Sequence, residues 1–224
     1  MSGSARASRI CAAALVLALG QALAWAEVVG TATAPLDGTK ARASECSLGD
    51  LVADAVRAGV DAELALVQAS QFRLEAIPAG ALTRQALTEA LLYPDEQIVL
   101  VEVPGDKLLA ALERSLSMLP NPSTAFLQVS GITVTFRSQN RLEERVTEVK
   151  VGGDQLSPTR TYQVGMPASL AKGALGYFRI FNGLEPKRTG PALGEAVCEY
   201  VRAKRAISPP PSPRLRDLTP PKQS

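Results

Sequence analysis

The acid–base and metal chemistry open to this chain rests chiefly on carboxylates, because its 224 residues include no histidine. Three pairs stand close enough to act together: Asp50 with Asp54, one helical turn apart, Asp95 with Glu96, and Glu143 with Glu144. Paired carboxylates suit general acid–base work or an all-oxygen cation site. The same spacing on an amphipathic helix also describes solvated surface charge, and Glu143-Glu144 lies in Arg-Leu-Glu-Glu-Arg, which has the look of a mixed-charge turn. Without histidine there is no Ser-His-Asp or Cys-His nucleophilic arrangement, and the commonest metal ligand and general base are missing. The sequence also lacks a Gly-x-x-x-x-Gly-Lys-Ser/Thr loop and a Gly-x-Gly-x-x-Gly turn, so it implies no cofactor and no phosphate cradle of those kinds.

Local patterns place these residues on alternating elements. Val28 to Ala34 reads as a short strand that turns at Pro35-Leu36-Asp37-Gly38. Ser47 is a suitable N-cap for a helix over 48–58, whose Leu48, Leu51, Val52, Ala55 and Val56 make one apolar face and which Gly59 would end. Further helices are expected over 82–92, 107–119 and 192–206, the last opened by Gly190-Pro191. The leucine stripe from Leu108 to Leu119 is core rather than a cofactor box. Strands are expected over 62–67, 97–103, 126–136 with a bend at Gly131, 145–151, and 161–166, with a hairpin at Gly152-Gly153-Asp154. Early alternation and later hairpins point to a single α+β domain over 27–206.

The ends differ in kind from this domain. Arg6 and Arg9 precede an apolar run from Ile10 to Leu19, and Ala24-Trp25-Ala26 fits a cleavage site, so 1–26 reads as a signal peptide of a periplasmic or secreted protein. No stretch approaches the ~20 apolar residues of a membrane span. Losing both arginines leaves basic residues equal in number to the 22 acidic ones, so a neutral chain offers nucleic acid no long-range attraction. Two cysteines remain, Cys46 and Cys198, either a disulfide between first and last helices or two buried thiols. Residues 207–224 run Ile-Ser-Pro-Pro-Pro-Ser-Pro-Arg-Leu-Arg-Asp-Leu and onward, a proline-rich composition expected to be disordered.

Several segments in order resemble the C-terminal, substrate-specificity domain of the 5'-nucleotidase family. They are Leu36-Asp37-Gly38; Glu45 with Leu48-Gly49-Asp50-Leu51-Val52-Ala53-Asp54-Ala55; Arg73 with Ile77-Pro78-Ala79-Gly80; Val101-Glu102-Val103-Pro104-Gly105 with Leu112-Glu113; Gln128-Val129-Ser130-Gly131; and Tyr162-Gln163-Val164 with Gly176-Tyr177. The resemblance covers roughly 36–184. It implies an α+β specificity domain, a nucleotide or nucleoside ligand, a link to nucleotide catabolism, and a metallophosphoesterase that the family carries as a separate domain and that this chain would need as a separate partner. Catalytic residues and metal ligands are then expected to be absent here, and hydrolysis in trans would leave an exposed apolar patch for docking.

At the positions that resemble the family's ligand contacts the chain departs from its pattern. Asn-Gly-Gly-x-Arg is replaced by Ala69-Ser70-Gln71-Phe72-Arg73, keeping only the arginine; Leu92-Tyr93-Pro94 reverses a Pro-Phe pair; Gly173-Ala174-Leu175-Gly176-Tyr177 lacks the aspartate of Gly-Gly-Asp-Gly-Tyr; and Arg42 lies two residues from an expected base at Ser44. The resemblance thus implies ligand contacts at Arg73, Tyr177, Tyr93, Phe72 and Arg42. An aromatic clamp of Tyr93 and Tyr177 with Arg73 as anion anchor is one arrangement. A cleft filled by Gln71 and Phe72, with Tyr177 in the core, is the other, and would make the chain an envelope interaction protein that kept the fold and lost the ligand.

Overall fold

The computed structural model describes residues 27–220, so the expected leader at 1–26 lies outside it. Its centre is a five-stranded mixed sheet built on β6 (Gln97–Pro104), in which Ile98 to Val101 are all buried. Such a run needs cover on both faces. β6 pairs antiparallel with β11 (Thr161–Pro167), which lies parallel to β3 (Leu64–Gln68); β3 pairs antiparallel with β7 (Leu127–Ser130). β12 (Pro186–Ala192) closes the other side of β6 as an edge whose Pro186, Lys187 and Arg188 discourage further pairing.

Alternate residues of these strands enter two different cores, as a period of two requires. Ala65, Val67, Ile98 and Leu100 face α1 (Ser47–Gly59) and α6 (Leu193–Lys204), meeting Leu48, Val52, Val56, Val197 and Val201. Leu64, Leu66, Val99, Val101 and Val103 face the opposite way, toward Leu108, Leu112 and Leu116 of α3 (Gly105–Leu116) and toward Phe181 of α5 (Phe178–Phe181). Helices on both faces of a mixed sheet make this an α+β fold.

Smaller sheets flank the centre. β1 (Val28–Ala32) lies between β5 (Gly80–Thr83) and β13 (Ala206–Ile207), and β2 (Leu36–Asp37) pairs with β4 (Ala76–Ile77). β8 (Ile132–Phe136), β9 (Val146–Val151) and β10 (Asp154–Gln155) form a meander. Gly131 turns β7 into β8 at φ 72°, where a Cβ would meet the Glu63 carbonyl at 2.3 Å. Short helices α2 (Arg84–Glu89) and α4 (Ala168–Ala171) complete the set.

Three expectations need correction. The helix 47–59 is capped by Cys46, whose Sγ accepts from Gly49 N at 3.3 Å, while the Ser47 hydroxyl is spent on Asp37 N and the Pro35 carbonyl. Of the two readings open for the cysteines, the structure has Cys46 and Cys198 as buried free thiols, with Cys46 serving as that cap. Gly190-Pro191 belongs to β12 instead of opening the last helix. The described part of the proline-rich tail is ordered: β14 (Leu215–Asp217) adds to β8 in parallel, extending the meander to β10-β9-β8-β14. Composition misses this because the tail does not fold alone; it is bound by an edge and by three carboxylates elsewhere in the chain.

Candidate functional site

Those carboxylates include the pair with the most suggestive spacing. Arg214 Nη2 donates to Asp54 Oδ2 at 2.9 Å, Arg214 Nη1 lies 3.6 Å from Asp50 Oδ1, and Nη1 donates to the Val129 carbonyl at 2.8 Å. One oxygen of Glu45 accepts from the backbone N–H of both Arg214 and Leu215 at 2.7 Å. Burial pushes the Asp50 carboxyl up to about 7, against the pull of Arg214. Asp50 and Asp54 therefore anchor the C-terminal strand. Asp95, Glu143 and Glu144 are exposed, and Glu96 is committed to hydrogen bonds given below. Among the described residues no three Asp, Glu or Cys side chains are grouped to hold a metal ion. With no histidine in the sequence, the residues present do not fit the two-metal centre expected of a metallophosphoesterase.

The segments expected to contact ligand converge where β3 ends and β6 begins, and there side chains fill the space. From the short turn Ala69–Gln71, Gln71 Nε2 donates to Glu96 Oε2 at 2.6 Å. The other oxygen of Glu96 accepts from Ser169 N of α4 at 2.6 Å, and Gln68 Nε2 donates to Ser169 Oγ at 2.9 Å. Gln68 and Gln71 are buried, and the Oε1 atom of each has no partner among the described residues. Gln71 stands where close backbone approach would want glycine, so the position is plugged.

The expected contact residues separate. Phe72 is fully buried and bridges to Leu91, so it is core. Arg73 is exposed, and Tyr93 keeps 57% of its surface. Arg42 is half-buried, with Nε buried and unpartnered. Tyr177 is fully buried: its hydroxyl donates to the Ala125 carbonyl at 2.6 Å, its ring stacks on Phe181 at 5.7 Å, and burial raises its phenol above the usual range. It does not face Tyr93 across a cleft, and the clamp is not formed. Leu74, Leu92 and Tyr93 do leave apolar surface beside Arg73, around the Phe72–Leu91 bridge.

The last expected segment turns Tyr177 inward and its neighbour Phe178 outward. Gly173 at φ 86°, Leu175 at φ 58° and Gly176 at φ 88° form a left-handed loop that buries Tyr177 and leaves Phe178 59% exposed. A Cβ on Gly173 would lie 2.2 Å from Phe178 Cα, so only glycine permits this path. Arg114 Nη2 holds the loop through the Leu175 carbonyl at 2.6 Å. The adjacent aromatics Tyr177 and Phe178 offered the signal, since neighbouring residues of a helix point about 100° apart and only Tyr177 enters the core.

The chain matches the profile of the family described as 5'-nucleotidase, C-terminal domain, over residues 28–183. It is 30% identical over 191 residues to an apyrase of Anopheles gambiae, covering 81% of this chain and 33% of that protein. It is 32% identical over 220 residues to Protein 5NUC of Lutzomyia longipalpis, covering 85% of this chain and 38% of that protein. The chain thus spans little more than a third of the length of these relatives. Among solved structures, a 5'-nucleotidase precursor from Thermus thermophilus superposes with TM-score 0.79 at 27% identity, over 96% of this chain and 43% of that one.

Proposed function

The chain belongs to the 5'-nucleotidase C-terminal domain family, and from that premise we propose that it is an exported recognition module of nucleotide catabolism, which binds a nucleotide or nucleoside and does not hydrolyse it alone. The observation that carries this reading is a whole specificity-domain scaffold whose described residues include no group able to hold a metal ion. Hydrolysis then falls to a metallophosphoesterase domain or chain, for which the apolar surface of Leu74, Leu92 and Tyr93 beside Arg73 is a suitable docking face. Calorimetric titration with AMP, with and without divalent metal, tests the proposal. Saturable binding heat with no phosphate released is expected; phosphate release, or no binding heat, overturns it.

A second reading is favoured by one specific observation. Gln71, Glu96 and Ser169 fill the position expected for the ligand, which suits an envelope interaction protein that has kept the fold and lost the site. It predicts no nucleotide binding at any position.

A further inference from the structure

We propose that the cleft between α4, α5, β6 and β12 binds a small planar aromatic anion of the nucleoside monophosphate class, with Phe178 as its stacking face and Lys172 as its anion anchor. The choice of a nucleotide rests on the function proposed above; the cleft itself is argued from its own geometry. Its volume is about 460 Å³, within the range of roughly 300–1,000 Å³ usual for small-molecule sites. Val99, Ala171 and Phe181 give it a buried apolar floor.

The polar groups at its rim are uncommitted. The side chains of Lys172, Gln97 and Asn182 make no hydrogen bond or ion pair among the described residues, although all three border the cleft. Neighbouring cations on β12 are engaged: Lys187 pairs with Glu102 at 3.0 Å, and Arg188 donates to the Val60 carbonyl. Lys172 is thus left to meet an anion, while the Gln97 and Asn182 amides supply both donors and acceptors for the edge of a heteroaromatic ring. Glu185 shares the rim, so one lysine is set against one carboxylate. That balance suits a nucleoside monophosphate and disfavours a polyphosphate.

Backbone strain at the loop supports the assignment of Phe178. Leu175, at φ 58°, is a left-handed residue that persists only where its surroundings hold it. Here Arg114 grips the Leu175 carbonyl, and Gly173 allows the turn that sets Phe178 outward. The backbone that presents the ring is therefore held before a ligand arrives, which lowers the ordering cost of binding. Stacking of a base on such a ring changes affinity by roughly five- to 150-fold. None of Arg73, Tyr93 or Tyr177 lines this cleft.

Thermal melting of the full chain with AMP, adenosine or inorganic phosphate tests the site, using Phe178→Ala, Lys172→Ala and Arg73→Ala; the three side chains are exposed, and an unchanged ligand-free melting temperature confirms folding. AMP at a hundred times its dissociation constant is expected to raise the melting temperature by roughly 5–10 °C. Phe178→Ala should weaken AMP and adenosine at least tenfold, Lys172→Ala should weaken AMP alone, and Arg73→Ala should leave the shift in place. An AMP shift that survives both cleft substitutions and vanishes in Arg73→Ala overturns this site while nucleotide recognition stands. A shift with phosphate equal to that with AMP overturns the aromatic class of ligand. No shift with AMP or adenosine in the unmodified chain overturns both proposals.

Discussion

Asp50 shows how one buried carboxylate can look catalytic in sequence and be structural in the fold. It shares a face of α1 with Asp54, as the spacing requires, but that face is covered by Arg214 and the C-terminal strand. An unfolded aspartate ionises near ~3.9, whereas burial raises this one to about 7 in the folded chain. Between those values the folded chain holds a proton that the unfolded chain has lost. The stabilisation is complete below the unfolded value and is lost as pH rises through about 7. Urea unfolding at a series of pH values should therefore show stability falling across this window in the native sequence and staying flatter in Asp50→Asn, with the two profiles parallel above it. Identical slopes would mean that Asp50 titrates normally.

At the scale of elements, α1 illustrates packing overruling propensity. Gly49 lies in its first turn, and alanine there would gain about 1 kcal/mol of helix propensity. A Cβ at that position, however, would lie 2.4 Å from Gln128 Oε1. Gln128 is fully buried; it accepts from Cys46 N and donates to the Ala41 and Ser44 carbonyls, tying the helix entrance to β7. Displacing it strands several buried polar groups at about 1–3 kcal/mol each. Gly49→Ala should thus be less stable by ~2–4 kcal/mol in denaturant unfolding, and a neutral or stabilising result would contradict the role given to Gln128. Two of the main elements were legible: the apolar face of Leu48, Leu51, Val52, Ala55 and Val56 indicates α1, and Gln-Ile-Val-Leu-Val-Glu-Val indicates the central strand β6. β12 was not, because Pro-Lys-Arg-Thr-Gly-Pro has no alternation of its own and takes its strand pairing from β6. The site was half legible. The turn at Gln71, Glu96 and α4 meet through hydrogen bonds that no local pattern signals, and the loop that turns Phe178 outward is held by the Arg114–Leu175 contact, between residues 61 apart in sequence.

Across the whole molecule, the chain closes on itself through its last described strand. Glu45, Asp50 and Asp54 near the start of the domain receive Arg214 near its end, while β14 covers the edge of β8. Removing one partner of a buried ion pair typically costs 3–5 kcal/mol, since the remaining charges lose their compensation. Arg214→Ala should lower stability by about 3 kcal/mol and the melting temperature by roughly 10 °C; a change under 1 kcal/mol would mean that the tail contributes little to the fold. The match to the 5'-nucleotidase family spans residues 28–183, ahead of this closing strand, and recognition without self-sufficient hydrolysis is proposed for that matched part. The most direct measurement is an isothermal titration of the full chain with AMP, followed by addition of manganese to the same cell. A saturable one-to-one binding heat and a flat baseline after the metal are predicted. No binding heat, or a sustained reaction heat once manganese is present, would contradict the account.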